Sequence, residues 1–216
     1  MSTFFGPRAF WQPIGTQTTN LITKSQDLSN AAWSDKTRIT VTANAAVAPD
    51  GTVTASKISA DTNNSTHLIG HQISSGLTAL GTRSISIYAK PGTLEQTQFE
   101  LTWYEGNFVG AYYRWFFDAD RGEVYWAAPG TTDIVCRGSH VEQIGNGWMR
   151  CCATITDFSN GGSGSTSAWF YLTMVNSPNQ GQGLGESYTG NNSYGMYFWG
   201  AQVENSSYVS PYVPNL

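Results

Sequence analysis

The densest apolar stretch of the chain lies close to its C-terminus, where Met196–Trp199 reads MYFW. Successive side chains of a β-strand point to opposite faces, so a strand of this composition must be covered on both faces. We therefore predict that this segment is a central strand of a β-sandwich. The tail that follows it, Ser210–Tyr212, is predicted to close over the sheet as an extended segment, because its proline bars a helix.

A second pattern is the clean alternation of apolar and polar residues in Gln98–Trp103 (QFELTW). The apolar set is predicted to face a core, and the polar set, which includes Gln98 and Glu100, to face outward. Other apolar or alternating runs, bounded by turn residues, predict the remaining strands. These strands are Arg38–Thr42, Val53–Ile58, Thr66–Ile73, Arg83–Lys90, Gln96–Tyr104, Ala111–Phe117, Glu123–Ala127, Ile134–Ile144, Trp148–Phe158 and Ala168–Val175.

Turn residues connect these runs into hairpins. Asp50-Gly51 and Asn146-Gly147 each lie between two strand candidates, and such pairs accept the positive φ that tight hairpin turns require. About ten or eleven short strands, with no convincing helix and no internal repeat, indicate an all-β domain. The predicted fold is a two-sheet antiparallel β-sandwich of jelly-roll type.

An N-terminal arm, residues 1–19, is predicted to precede the sandwich of residues 20–216. Its aromatic residues are interrupted by glycine and proline, so no regular element fits. Such an arm either packs back on its own domain or inserts into a partner, since exposed aromatic residues otherwise need an explanation. The candidate docking residues are Phe4, Phe5, Phe10 and Trp11.

Composition and charge narrow the class of protein. The net charge is −4 without a basic cluster, which argues against nucleic-acid binding because phosphates require Lys and Arg. No apolar run approaches the roughly 20 residues that cross a bilayer. The N-terminus has no secretory signal pattern, so we expect synthesis in a cytoplasm and release by lysis.

Metal-binding and catalytic chemistry receive little support from the sequence. Cys136, Cys151 and Cys152 are predicted to be small buried residues and not disulfides or ligands, because adjacent cysteines of a strand point to opposite faces. His67 and His71 share a strand face but lie too far apart, roughly 13 Å, for joint ligation.

Acidic residues give no distinctive catalytic motif. Several carboxylates lie on neighbouring strands and turns, where acids are usually solvated, and we therefore expect no enzymatic activity. Asp118 and Asp120 are a weak candidate for a structural Ca²⁺, although their spacing equally fits a turn in which Asp side chains bond the local backbone. No other cofactor is expected.

Surplus aromatic residues are the best indication of binding. Sugar rings can stack their C–H faces on such side chains, while neighbouring polar groups bond hydroxyls. The alternative is that a large sandwich uses these aromatics in its core or in contacts between subunits. The candidate glycan-binding residues are Gln98, Glu100, Tyr104, Tyr113, Trp115, Trp169 and Tyr171.

Three stretches in a fixed order resemble a known family. They are NLITKSQDLSNAAW with TVTANAAVAPDGTVTASKI, then VEQIGNGWMRC, then YFWGAQVENSSYVSPYVP. Together they are similar to the jelly-roll, concanavalin A-like and carbohydrate-binding-module-like domains of tailed-bacteriophage virion proteins. The resemblance covers about Asn20 to Pro214, and it departs from the family pattern at Met149, where an aromatic residue is usual.

The resemblance implies a virion setting and leaves two hypotheses for function. One is a structural subunit, a head decoration or tail accessory protein, which docks on other virion proteins through the arm and assembles as a homo-oligomer, with a trimer favoured. The other is a host-attachment adhesin that binds a surface glycan through an aromatic platform. The matching stretches are framework residues, so they do not decide between the two.

Overall fold

The computed structural model describes residues 18–78, 81–92, 96–105, 112–130, 134–157, 167–176 and 187–216. These residues contain fourteen strands and no helix long and apolar enough to cross a membrane. In chain order the strands are β1 (Asp35–Thr37), β2 (Ile39–Ala46), β3 (Ala55–Ala60), β4 (Asn64–Ser65), β5 (His67–Ile73), β6 (Gly81–Pro91), β7 (Gln98–Glu105), β8 (Tyr112–Asp118), β9 (Glu123–Pro129), β10 (Ile134–Gly145), β11 (Trp148–Asp157), β12 (Ala168–Met174), β13 (Tyr188–Thr189) and β14 (Met196–Glu204).

The strands form two six-stranded antiparallel sheets that pack against each other. The front sheet has the order β1-β5-β12-β7-β8-β9, and the back sheet has the order β10-β11-β6-β14-β3-β2. The two shortest strands, β4 and β13, pair in a separate ribbon. The predicted all-β sandwich is confirmed. The short strands β1, β4 and β13 were not predicted, because two or three residues are too few to show an alternation.

The hydrophobic core fills the space between the two sheets. The front sheet contributes Trp103, Trp115 and Phe170, and the back sheet contributes Ile87 and Phe198, all of them fully buried. Along each strand the core residues alternate with residues of the opposite face, as a sheet with one face on the core requires. Burying a large apolar side chain stabilises the fold by about 1.5–3 kcal/mol.

The C-terminal strand β14 lies inside the back sheet, between β6 and β3. The prediction of a central strand at Met196–Trp199 is thereby confirmed. Gly200 adopts a φ of 64° and marks a break in the register between Trp199 and Gln202. This bulge returns Ala201 and Val203 to the core face, and a left-handed φ favours glycine at that position.

The outer face of the back sheet carries a second hydrophobic cluster, centred on Tyr88, Trp148 and Trp199. The C-terminal tail covers it, with the Tyr212 ring 4.6 Å from that of Trp199 and 6.0 Å from that of Tyr88. Each tryptophan donates its indole N–H to the loop between β2 and β3: Trp148 to the Val47 carbonyl at 3.0 Å and Trp199 to a threonine hydroxyl at 2.9 Å. The predicted closing tail is confirmed.

A buried carboxylate, Glu204, anchors that tail. It accepts hydrogen bonds from the Ser84 hydroxyl at 3.0 Å, the Ser210 hydroxyl at 2.5 Å and the Ser210 backbone N–H at 3.2 Å, and also from the hydroxyl of Thr18. Burial alone would raise the pKa of Glu204, but the hydrogen bonds from Ser210, Thr18 and Gln202 outweigh it and hold the pKa below its ordinary value. Glu204 therefore remains a charged acceptor at neutral pH.

The β10–β11 hairpin turns at Asn146 and Gly147, whose φ angles are 54° and 77°. These angles confirm the predicted tight turn. All three cysteines are free thiols, with Cys151 and Cys152 buried. Cys136 opposes Ile155, which agrees with the prediction that it does not pair with either of them.

Candidate functional site

The outer face of the front sheet brings together aromatic side chains from three adjacent strands. The register sets Trp169 of β12 opposite Tyr104 of β7, and Tyr104 opposite Tyr112 of β8. Their neighbours in sequence, such as Phe170 and Trp103, lie in the core, so these three side chains project outward. They form an aromatic row across the sheet.

The rings of this row are aligned with one another. Tyr104 and Tyr112 stack with centroids 5.9 Å apart and planes inclined by only 1°. Trp169 stacks on Tyr171, two residues along the same strand, at 5.3 Å and 10°. We call Trp169, Tyr171, Tyr104 and Tyr112 the aromatic platform. Tyr171 is buried and the other three are half-buried, so part of each of their surfaces remains open to solvent.

Two glycines leave room for the rings of Tyr171 and Tyr112. A Cβ atom at Gly70 of β5 would stand 2.4 Å from the ring of Tyr171, and one at Gly130 would stand 2.2 Å from the ring of Tyr112. Real Cβ atoms do not approach other heavy atoms so closely, so any other residue would push the ring away. The platform therefore depends on the absence of side chains beneath both rings.

A buried ion pair lies directly beside the platform on the same face. The Arg114 guanidinium is 3.7 Å from a carboxylate oxygen of Glu100, and both side chains are buried. The guanidinium also lies 5.5 Å from the ring of Tyr112 and 5.9 Å from that of Phe116. Cations are attracted to aromatic faces at such distances. Glu100 thus holds Arg114, and Arg114 in turn fixes the position of Tyr112.

Thr173 lies beside this ion pair on the same face, because it is the register partner of Glu100. Its hydroxyl is buried, and it has no hydrogen-bond partner among the described residues. An unpaired buried hydroxyl costs about 1–3 kcal/mol. The outer face of the front sheet therefore contains one buried hydroxyl, that of Thr173, without a hydrogen-bond partner in the described part of the chain.

Gln98, Asp118 and Tyr125 form the opposite end of the same face. Gln98 donates to Asp118 at 3.0 Å and accepts from the Tyr125 hydroxyl at 3.4 Å. The other oxygen of Asp118 accepts the backbone N–H groups of Asp120 and Arg121 at 3.0 and 3.1 Å. Asp118 therefore bonds the backbone of its own turn, as the turn interpretation of this sequence predicted. The Ca²⁺ site at Asp118 and Asp120 stays a prediction.

Tyr104 and Tyr171 of this face keep their protons. Burial raises the pKa of Tyr104, and the neighbouring Tyr112 raises it further. Burial likewise raises the pKa of Tyr171, with a second contribution from the carboxylate of Asp35. At neutral pH both phenols are uncharged hydrogen-bond donors.

Five of the seven candidate glycan-binding residues lie on this outer face: Gln98, Glu100, Tyr104, Trp169 and Tyr171. The other two, Tyr113 and Trp115, lie on the core side of the sheet and not on this face. Trp115 is completely buried in the core, and Tyr113 packs against the same core, because these positions alternate with the outward Tyr112 and Arg114. The docking residues Phe4, Phe5, Phe10 and Trp11 lie outside the described residues.

Tyr112 belongs to the platform but is not among the seven glycan-binding residues predicted from the sequence. Its segment, YYRWFF, has aromatic residues on both faces, so alternation alone does not assign one face to the core. The pairing with β7 assigns it, because Leu101 opposes Trp115 and both lie in the core. The clean alternation in β7 is the signal that would have identified Tyr112.

Both histidines of β5 have partners of their own. His71 Nε2 lies 3.0 Å from the hydroxyl of Thr23. The two ring nitrogens of His67 lie 2.7 and 3.0 Å from the carbonyl oxygens of Arg38 and Tyr188. The two histidines therefore lie in separate environments.

Comparison with known proteins gives little beyond the fold. No family model and no curated protein sequence matches the chain. Among solved structures, the chain resembles the enzymatically active domain of tailspike protein 4 of bacteriophage CBA120. The TM-score is 0.44 at 11% identity, and the match covers 85% of this chain and 21% of the tailspike chain.

No family match supports the narrower jelly-roll family. The tailspike match bears on one expectation. The sequence predicted that the chain has no enzymatic activity, whereas the tailspike domain it resembles is described as enzymatically active.

Proposed function

We propose that this chain is a bacteriophage particle protein that binds a surface polysaccharide of its host on the aromatic platform. The observation that carries the proposal is the alignment of Trp169, Tyr104 and Tyr112 across three adjacent strands, with stacked rings and part of each side chain exposed. Isolated surface aromatics are ordinary, whereas a row of aligned, partly exposed aromatics calls for a ligand or a partner.

The chemistry of the platform suits a sugar chain. The C–H face of a pyranose ring is apolar and stacks on an aromatic face, while its hydroxyls need hydrogen-bonding partners at the rim. Trp169 offers an indole N–H that has no partner among the described residues, and Tyr104 offers a phenol group that stays protonated. Consecutive sugar rings of a polysaccharide can therefore follow the row from β12 to β8.

The buried pair of Glu100 and Arg114 has a supporting role in this proposal. Both side chains are too buried to bond a sugar directly. Instead, their ion pair fixes the orientation of Tyr112 before any ligand arrives, and a pre-organised site loses less entropy on binding. In this proposal the aromatic rings contact the sugar, and the ion pair holds Tyr112 in position.

Within the same proposal, the arm that carries Phe4, Phe5, Phe10 and Trp11 docks the protein on other virion proteins. In this proposal the front face of the sandwich contacts the host. A homotrimer would present three such faces, and avidity would strengthen weak binding at each one.

The test is binding of the purified chain to a panel of bacterial capsular and lipopolysaccharide-derived polysaccharides, measured by affinity electrophoresis. We expect at least one polysaccharide to retard the protein. Trp169→Ala and Tyr104→Ala should each weaken that binding by about tenfold or more, which corresponds to about 1.4 kcal/mol. New reducing ends, measured in the same incubations, will show whether the bound polysaccharide is also cleaved.

The matched control is Tyr208→Ala, which removes an exposed tyrosine outside the platform. Its binding should equal that of the parent chain. The proposal fails if no polysaccharide of the panel binds, or if Tyr208→Ala weakens binding as much as Tyr104→Ala does.

A further inference from the structure

The β10–β11 hairpin places three potential metal ligands together on the outer face of the back sheet. Donor atoms of His140, Glu142 and Cys152 all lie within 4.8 Å of one another. His140 is the direct cross-strand partner of Cys152, and Glu142 lies two residues along the same strand face. His140 Nε2 and Glu142 Oε1 are already 3.3 Å apart.

A single irregularity in β10 creates this arrangement. Gly145 opposes Trp148 across the turn, but the register then shifts by one residue between Gln143 and Gly145. Without that shift Val141 would oppose Cys152, and both His140 and Glu142 would point to the core face. Instead Val141 packs against the core, and the two ligand candidates face outward with Cys152.

We infer that this hairpin binds Zn²⁺ through His140, Glu142 and Cys152. Imidazole, carboxylate and thiolate are all ordinary zinc ligands, and a site with three protein ligands accepts water as the fourth. Ligand atoms around a tetrahedral Zn²⁺ lie about 3.4 Å apart, as the usual bond lengths require. The His140–Glu142 separation of 3.3 Å already matches that value. The Cys152 sulfur lies within 4.8 Å of both donor atoms, and His140 and Glu142 are exposed, so rotation of their side chains can shorten these two distances.

Charge supports the same assignment. A thiolate and a carboxylate together neutralise the two charges of Zn²⁺. Arg150, the register partner of Glu142, does not occupy the site, because its guanidinium bonds the Ser86 hydroxyl at 3.0 Å and lies 5.3 Å from the ring of Tyr88, both on β6. The cation is thus directed to the side of β11 away from β10.

The Cys152 thiol must lose its proton when the metal binds. Burial raises the pKa of Cys152 to about 12, against an opposing effect of Arg150 and with a further increase from Glu142. The metal-free thiol is therefore protonated at neutral pH. Zn²⁺ takes the place of that proton, which leaves to solvent as the S–Zn bond forms.

Binding would fasten the edge strand of the back sheet. β10 is the outermost strand of that sheet, and edge strands are prone to fray or to pair with other chains. A metal held by two residues of β10 and one of β11 joins the edge to its neighbour. Because it binds the folded hairpin, Zn²⁺ should raise the thermal stability of the chain.

The test is titration of the purified, reduced chain with Co²⁺, which reports cysteine ligation through a thiolate-to-cobalt charge-transfer band. We expect this band to saturate at one Co²⁺ per chain and to vanish on addition of Zn²⁺. Cys152→Ser should abolish the band, and His140→Ala should weaken binding by at least about tenfold, the loss that even an outer-shell partner produces. The control Cys136→Ser, which alters the half-buried thiol of β10, should leave the band unchanged.

Three results would overturn the inference: no charge-transfer band with the parent chain, a band that persists in Cys152→Ser, or a band lost in Cys136→Ser. Because Cys152 is buried, its variant also requires a parent-like circular dichroism spectrum. If that variant does not fold, the exposed positions decide the question. Unchanged Co²⁺ affinity in both His140→Ala and Glu142→Gln would then refute the site.

Discussion

Both outer faces of the sandwich carry aromatic clusters, but the chain treats the two faces differently. On the back sheet, Trp148 and Trp199 are 3% exposed and donate their indole N–H groups to the chain itself. Tyr212 of the C-terminal tail packs on Trp199. On the front sheet, Trp169 is half-buried, and its indole N–H has no partner among the described residues. The rings of the front face are stacked in near-parallel pairs.

This difference separates aromatics that build the fold from aromatics that are available for recognition. A fully bonded and covered tryptophan contributes apolar burial and a satisfied donor, so its value is stability. A half-buried tryptophan such as Trp169, stacked on a neighbouring ring, contributes less to folding. The exposed part of its side chain remains open to a ligand. The same residue type therefore has two roles, and matched substitutions on the two faces can distinguish them.

The largest expected effect is that of Trp199→Ala on the back face. Removing this side chain leaves a cavity beneath Tyr212 and beside Tyr88, and such losses cost about 3–5 kcal/mol. Trp169→Ala on the front face should cost only about 1 kcal/mol. Urea denaturation of the two variants measures both values, and polysaccharide binding should be lost only in Trp169→Ala.

Equal losses of stability in the two variants would break the comparison, because the front-face tryptophan would then be as structural as the other. A Trp199→Ala variant that folds normally but no longer binds polysaccharide would also contradict it, since binding would then reside on the back face.

The next effect is that of Gly70→Ala on the front face. The new methyl group would stand 2.4 Å from the Tyr171 ring, and relieving such overpacking costs about 1–3 kcal/mol. Because Tyr171 must move, its stacking on Trp169 is lost, and polysaccharide binding should fall with it. Urea denaturation and affinity electrophoresis measure the two consequences.

Gly138→Ala is the matched control, because a Cβ atom at that position meets nothing within 4 Å. It should change stability by less than about 0.5 kcal/mol and leave binding unaltered. If Gly70→Ala behaves like this control, the position of the Tyr171 ring is not required for the platform.

The sequence predicted the strands well, because a sheet with one buried face imposes a two-residue period that side chains must follow. The alternation in β7 therefore located Gln98 and Glu100 on the outer face. It failed in β8, where Tyr112–Phe117 has aromatic residues on both faces. Trp115 was therefore named a candidate glycan-binding residue, although it lies in the core. Only the pairing with β7 resolves that strand.

Features that depend on partners distant in sequence were not predictable. Gly70 lies beneath Tyr171 of another strand, and nothing around Gly70 in the sequence indicates this contact. The approach of His140 to Cys152 depends on a one-residue register shift, whereas a regular ladder from the Asn146-Gly147 turn places Val141 there. A single irregularity in a strand thus changes which side chains meet, and local patterns do not reveal it.

The smallest expected effect concerns the cover of the back face and its dependence on pH. The hydrogen bonds to Glu204 hold its pKa below its ordinary value of 4.5. A carboxyl with a lowered folded-state pKa stabilises the fold above its unfolded pKa, and that contribution is lost as the pH falls through the folded value. Glu204→Gln should therefore be less stable than the parent at pH 7 by about 1 kcal/mol, the usual net contribution of one hydrogen bond, because a neutral amide cannot accept all the hydrogen bonds that the carboxylate accepts. Urea denaturation at a series of pH values should show this difference constant above pH 5 and shrinking below 4.5. A difference that stays constant into the acid range would mean that the charge of Glu204 does not anchor the tail over Trp199.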